Sequence, residues 1–174
     1  MHRPIWELFI NGSDTPVAWI AHRPNVRFAI YNPGGTTNPA DDLVWDKETG
    51  LIWPRNANLL GQQIWLDSNR MCREMELGNR SGWRLPAVEE LSSLVDPSQP
   101  NLALPAGHPF VNVQFGSGVP AYWSSTNNEI PPGAAYFVNF WRGAGPQLAG
   151  LGNKTIPGFV WPVRGGHGGV NWNW

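Results

Sequence analysis

Aromatic and amide side chains are interspersed through residues 122–161: Trp123, Asn127, Asn128, Tyr136, Asn139, Trp141, Arg142, Gln147, Asn153 and Trp161. An exposed indole beside primary amides is recognition chemistry. The flat ring stacks on a sugar face or anchors a protein side chain, and the amides supply directed hydrogen bonds. The candidate ligand-binding set is Asn127, Asn128, Asn139, Trp141, Arg142, Gln147 and Asn153. Trp123 and Trp161 read as core residues, whereas Trp141, next to Arg142-Gly143 at a strand end, reads as exposed.

Other reactive side chains form no constellation. The single cysteine, Cys72, excludes an intramolecular disulfide and a cysteine-based zinc site, and on an apolar helix stripe it reads as a small buried hydrophobe. His2, His22, His108 and His167 are scattered without ligand spacing, and His108 sits in a Gly-His-Pro loop. No Ser-His-Asp arrangement can be assembled from neighbours, so no catalytic residue is assigned and the chain reads as a non-enzyme. Asp41, Asp42, Asp46 and Glu48 gather carboxylates near a turn, as calcium would require. Their spacing is not that of an EF-hand, and turn-forming aspartates account for it. Asn127-Asn128-Glu129 is the second place where calcium could be considered; no metal ligand and no cofactor is assigned. Arg84 and Arg164 read as structural, bonding loop carbonyls or pairing with Glu89, Glu90 or Asp96.

The composition narrows the partners. With 14% charged residues and a net charge of −1, the chain lacks the basic footprint of a nucleic-acid binder and the polybasic patch drawn to membrane surfaces. Twenty glycines and 17 prolines against 41% hydrophobic residues describe a loop-rich folded domain. Eleven tryptophans exceed what packing alone requires. The first residues lack the apolar run of a secretory signal, and no segment approaches the ~20 apolar residues of a membrane span. Membrane insertion is therefore not expected, and the compartment stays open.

Local patterning predicts the elements that hold these residues. Residues 26–31 alternate as a strand. Residues 43–46 and 51–53 flank Lys47-Glu48-Thr49-Gly50 as a β-hairpin, with Trp45 and Trp53 on facing strands and their shared face dependent on register. A helical pattern runs over about residues 59–77, with Ile64, Met71 and Met75 on one stripe and Cys72 beside it. Gly82-Trp83-Arg84-Leu85-Pro86 then leads into a short helix through Val95; Pro86 suits its first turn, and Arg84 should point away from Trp83 and Leu85. Residues 97–119 form a packed surface loop, and strands are predicted at 121–126, 135–141 and 158–164. On the middle strand Tyr136, Val138 and Phe140 share one side, and Phe137, Asn139 and Trp141 the other. The class is α+β.

Five motifs occur in an order that resembles one family: Asp46-Lys47-Glu48-Thr49-Gly50-Leu51-Ile52-Trp53, Gly82-Trp83-Arg84-Leu85-Pro86, Glu89-Glu90-Leu91, Tyr122-Trp123-Ser124-Ser125-Thr126 and Val163-Arg164-Gly165-Gly166. Together they are similar to the Lcl C-terminal domain family, typified by the last domain of a bacterial collagen-like surface adhesin, over roughly residues 27–166. The resemblance implies a C-type lectin-like fold, related to the sulfatase-modifying (formylglycine-generating) fold: a β-hairpin, two helices, then a twisted antiparallel sheet. Family members place one cysteine in the first helix and another before the closing Val-Arg motif. Here those positions hold Cys72 and Pro162, so the implied disulfide and its oxidising compartment do not carry over.

The combined expectation is a single domain over residues 1–174, with an irregular extension at 1–25 and a tail at 165–174. It is a non-catalytic module that recognises a glycan or protein ligand in adhesion, on a cell surface or outside the cell by resemblance. Bacterial or phage variable proteins of diversity-generating retroelements share that broad fold. The alternatives are a sulfatase-modifying-type enzyme and a structural or assembly subunit, and an oligomer is compatible with each.

Overall fold

The computed structural model describes residues 27–33, 35, 38, 41–118, 120–129, 133–141, 143 and 148–165. The expected extension at 1–25 and nearly all of the expected tail lie outside the described residues.

The hairpin forms as its sequence dictates. Leu43–Asp46 (β2) and Leu51–Pro54 (β3) pair antiparallel. Asp46 closes the turn: its side chain accepts the Glu48 N–H at 3.1 Å and its carbonyl accepts the Gly50 N–H at 2.8 Å. Gly50, at φ 72°, occupies the left-handed region that a glycine enters without strain. Phe28–Tyr31 (β1) adds to β2, and Arg164–Gly165 (β9) adds to β3, completing the antiparallel order β1-β2-β3-β9. The register sets Trp45 opposite Ile52 and Trp53 opposite Val44, so the two tryptophans take opposite faces. Trp53 is fully buried and Trp45 half-buried.

A second sheet is built from Gln62–Gln63 (β4), Tyr122–Asn128 (β5), Ala134–Val138 (β6), Ala149–Asn153 (β7) and Gly158–Phe159 (β8), in the order β4-β8-β5-β6-β7. It is mixed rather than wholly antiparallel, because β5 and β8 run parallel. β7 also runs parallel to β5, since both are antiparallel to β6. β7 lies at one edge and β8 on the far side of β5, so residues 154–157 must carry the chain across a face of the sheet. The single strand expected at 158–164 divides into β8 and β9, on different sheets. Pro162 lies between them and has no N–H for a ladder.

Two helices pack against these sheets. α1 spans Trp65–Glu74, shorter than the sequence pattern. Gly61, at φ 64°, and β4 take up its expected first residues. Its inward stripe is Trp65, Ser68 and Cys72 rather than Ile64, Met71 and Met75; Ile64 is exposed and the two methionines are half-buried. α2 spans Val88–Ser92. Arg84, between buried Trp83 and Leu85, turns outward as expected. Its guanidinium makes two 2.6 Å bonds to the Glu90 carboxylate and one to the Gly165 carbonyl. Glu90 also accepts the Ala87 N–H at 2.8 Å, which ties the start of α2 to the last strand.

The second sheet divides the interior. One face, with the first sheet and α2, encloses Trp53, Phe110, Tyr122, Val138, Phe140 and Trp161. The other face, beneath α1, encloses Cys72, Leu85, Trp123, Ala135 and Val160, with Trp65 and Phe137 packed against them. The long loop after α2 belongs to the first core through Leu104 and Phe110. On that loop His108 stacks on Phe110 with ring centroids 6.0 Å apart, and burial holds its imidazole below the ordinary value of 6.5.

Two outcomes are expected. Asp46 is fully buried and accepts two bonds from Arg27, at 2.9 and 2.6 Å, while Arg27 also reaches the Ser93 carbonyl. Arg27→Ala leaves that carboxylate without its partner and should destabilise the fold by about 3–5 kcal/mol in urea denaturation. For His108 the folded state disfavours the proton, so stability is fully present above the ordinary value of 6.5 and is lost as pH falls below it. The urea midpoint should drop between about pH 7.5 and about pH 5.5 in the native chain, and drop less in His108→Gln.

Candidate functional site

The segment that crosses the second sheet makes one wall of an open groove. Asn153 shapes it: its side-chain oxygen accepts the Thr155 N–H at 3.0 Å and the Thr155 hydroxyl at 2.9 Å, and its carbonyl accepts the Ile156 N–H. Ile156 and Pro157 follow, and both are exposed. The floor is Trp123 and Phe137, neighbours on β5 and β6 with ring centroids 6.3 Å apart. Pro120, Ala121 and Gly158 close one end, and Asn139 and Gly152 complete the lining. The groove holds about 300 Å³.

Two glycines on β7 make room for the floor. A Cβ on Gly150 would lie 2.7 Å from the Phe137 ring, and one on Gly152 2.7 Å from the Trp123 ring. Trp123 itself is almost wholly buried and its indole N–H donates to the Gln63 carbonyl at 3.2 Å, so the groove meets only part of that ring.

The polar groups are two carboxamides. Asn139 accepts the Trp141 N–H at 2.9 Å through its side-chain oxygen, just as Asn153 accepts from Thr155. A backbone N–H only donates, so oxygen must face it, and each side-chain NH₂ is turned away from its turn. Neither NH₂ has a partner among the described residues. No lining residue is charged. The nearest cation in sequence is Lys154, whose ammonium lies 4.3 Å from the Trp65 ring centroid and donates to Asn127 at 2.5 Å. The Lys154 carbonyl accepts the first N–H of α1, from Trp65, at 3.0 Å. This single residue therefore fastens the crossing segment to the helix.

The residues expected to bind ligand separate into four groups. Asn139 and Asn153 both line the groove, one toward each end of the β6–β7 ladder. Asn127 is exposed on the Lys154 side, and Asn128 is half-buried at the end of β5 with partners of its own. Trp141, expected to be exposed, is instead half-buried: it is bridged to Leu102, with Gly143 against its ring. The Ala103–Phe140 backbone bond holds the long loop beside it, which explains the burial. Arg142 and Gln147 lie outside the described residues. Sequence reasoning missed Phe137, Ile156 and Pro157, although strand alternation had already put Phe137 and Asn139 on one side. The unread signal was Gly150 and Gly152, two residues apart on one strand face, which leaves that face open to a neighbouring ring.

The hairpin carboxylates are engaged elsewhere. Asp42 pairs with Arg55 at 2.7 Å, and Asp46 and Glu48 both pair with Arg27. Among the described residues no group of three or more His, Cys, Asp or Glu could hold a metal ion. Cys72 is buried, and desolvation pushes its thiol up to about 12, which favours the neutral thiol over the reactive thiolate. No helix among the described residues is long and apolar enough to cross a membrane.

Gly152→Ala tests the floor. The added methyl must displace a ring that is locked in the second core, so the variant should lose about 1–3 kcal/mol of stability, measured by urea denaturation.

No curated protein and no solved structure matches the chain. The profile of the Lcl C-terminal domain matches residues 42–164, from the hairpin through the Arg84–Val163 bridge to β9. The chain belongs to the Lcl C-terminal domain family.

Proposed function

We propose that this chain is a non-catalytic recognition module of adhesin type, and that it takes its ligand in the groove between Phe137 and the 153–157 segment. The observation that carries the reading is the pairing of an apolar aromatic floor with two carboxamides whose oxygens are fixed by the backbone. Such groups need not reorganise when a ligand arrives, which conserves affinity. Membership of a family typified by a surface adhesin supports the same direction, and so does the order of hairpin, helices and sheet, which agrees with a C-type lectin-like arrangement. The ligand is a glycan or a protein segment.

The sealed thiol argues against a sulfatase-modifying type of enzyme, which needs reactive cysteines. A variable protein of a diversity-generating retroelement would display changed side chains on this same sheet end, and sequencing of sibling genes would show it. An assembly role would show itself as a change of size in solution when residues 170–174 are removed.

The direct test screens the intact chain on glycan and peptide arrays. Phe137→Ala and Asn139→Ala should weaken retention by about tenfold or more. Leu66→Ala, on the exposed side of α1, should change nothing. Unaltered retention by both groove variants, each shown to be folded by thermal melting, would place the site elsewhere.

A further inference from the structure

The groove borders a strand edge with open hydrogen-bonding positions. The Asn139 N–H donates to the Leu148 carbonyl, and the Lys154 N–H to the Gly133 carbonyl. Residues 148 and 154 therefore turn their backbone groups toward β6, and by alternation so do Gly150 and Gly152. Ala149, Leu151 and Asn153 turn theirs away. β7 is the last strand of its sheet, and among the described residues no partner meets the N–H and C=O of Ala149 or Leu151. These sites recur every second residue, which is the repeat an added strand presents.

Edge strands are normally guarded by charge, proline or a bulge. β7 reads Ala-Gly-Leu-Gly-Asn, with none of these, and its central Leu151 is 46% exposed. The glycines leave the Phe137 and Trp123 rings lying over the strand on its groove side.

The groove also discriminates between ligand classes. Sugar hydroxyls both donate and accept, so a pyranose needs acceptors in its site. Here the Asn153 oxygen already accepts two bonds and the Asn139 oxygen one, which leaves a single side-chain lone pair, and no carboxylate lines the groove. What remains on the side chains is mostly N–H, and the open N–H and C=O of Ala149 and Leu151 alternate at the repeat of a polypeptide main chain rather than of a sugar ring.

From this geometry we infer that the ligand is an extended, uncharged segment of a partner protein, added to β7 as a further strand with apolar side chains against Phe137 and the Ile156-Pro157 wall. The inference rests on the groove reading above and names its ligand class. Main-chain bonds to Ala149 and Leu151 supply affinity, and the groove selects the side chain beside them.

The test uses immobilised synthetic peptides of about ten uncharged residues with alternating apolar positions. Leu151→Pro removes an N–H that points away from β6 and leaves the β6–β7 ladder donors in place. Leu151→Lys puts a guarding charge on the same edge. With unchanged melting temperatures, both variants should lose peptide retention by about tenfold or more. If Leu151→Pro alone melts early, Leu151→Lys decides. Retention that needs Phe137 and Asn139 but survives both edge variants overturns the strand-addition inference while keeping the groove. Glycan retention that needs Asn139 and Asn153 overturns the ligand class. A concentration-dependent dimer abolished by Leu151→Lys assigns the edge to a second copy of the chain and overturns it as well. Retention indifferent to every groove and edge variant removes the groove reading itself.

Discussion

The Trp161 ring is the contact on which the two sheets depend. Its centroid lies 5.6 Å from Trp53 of the first sheet and 5.5 Å from Tyr122 of the second, with Phe110 at 4.8 Å and Phe140 at 5.8 Å. Its indole N–H donates to the Pro54 carbonyl at 3.1 Å, so a buried polar atom is satisfied where burial would otherwise be costly. The flanking backbone is fixed as well: Val160 donates to Gly61, and Val163 exchanges two 2.9 Å bonds with Arg84. The segment 160–163 thus belongs to neither sheet and positions both.

That arrangement explains why the groove sits where it does. The second sheet is buried on both faces over its middle strands, so exposed aromatic surface can persist only near the open edge, beyond the reach of α1. The crossing segment 154–157 covers part of that region, and Lys154 holds the segment to α1 through a ring contact and a backbone bond. Phe137 is left half-buried between the two. The groove is a by-product of a topology in which β8 must return past β5 rather than hairpin directly from β7.

The elements legible in sequence were those set by local chemistry. The hairpin turn follows from Asp46 and Gly50, and the outward turn of Arg84 follows from strand alternation. Helix α2 was legible from the acidic residues of its first turn, but Pro86 lies just before the Ala87 N-cap rather than in that turn, and the helix ends at Ser92 rather than Val95. The core status of Trp123 and Trp161 was also legible. What escaped was non-local. Trp45 and Trp53 separate because register, not spacing, assigns faces. The buried stripe of α1 shifted to Trp65, Ser68 and Cys72 because Gly61 and β4 delay the start of the helix. Trp141 is half-buried because the long loop returns to pair Leu102 with it and to bond Phe140, contacts between residues far apart in the chain. Asn139 and Asn153 were found by type, while their shared groove required the crossing segment, which leaves no periodic mark.

The placement of β8 and β9 has a consequence for how the chain is made. Both are among the last described residues to leave a ribosome, yet β8 lies between β4 and β5, and β9 completes the sheet of the hairpin. A nascent chain lacking them has no Trp161 with which to join its halves, and the apolar faces of Val44, Trp53 and Tyr122 stay uncovered until synthesis has passed residue 165. Neither sheet can be completed before these two strands are available, and the pairings they make join residues far apart in the chain.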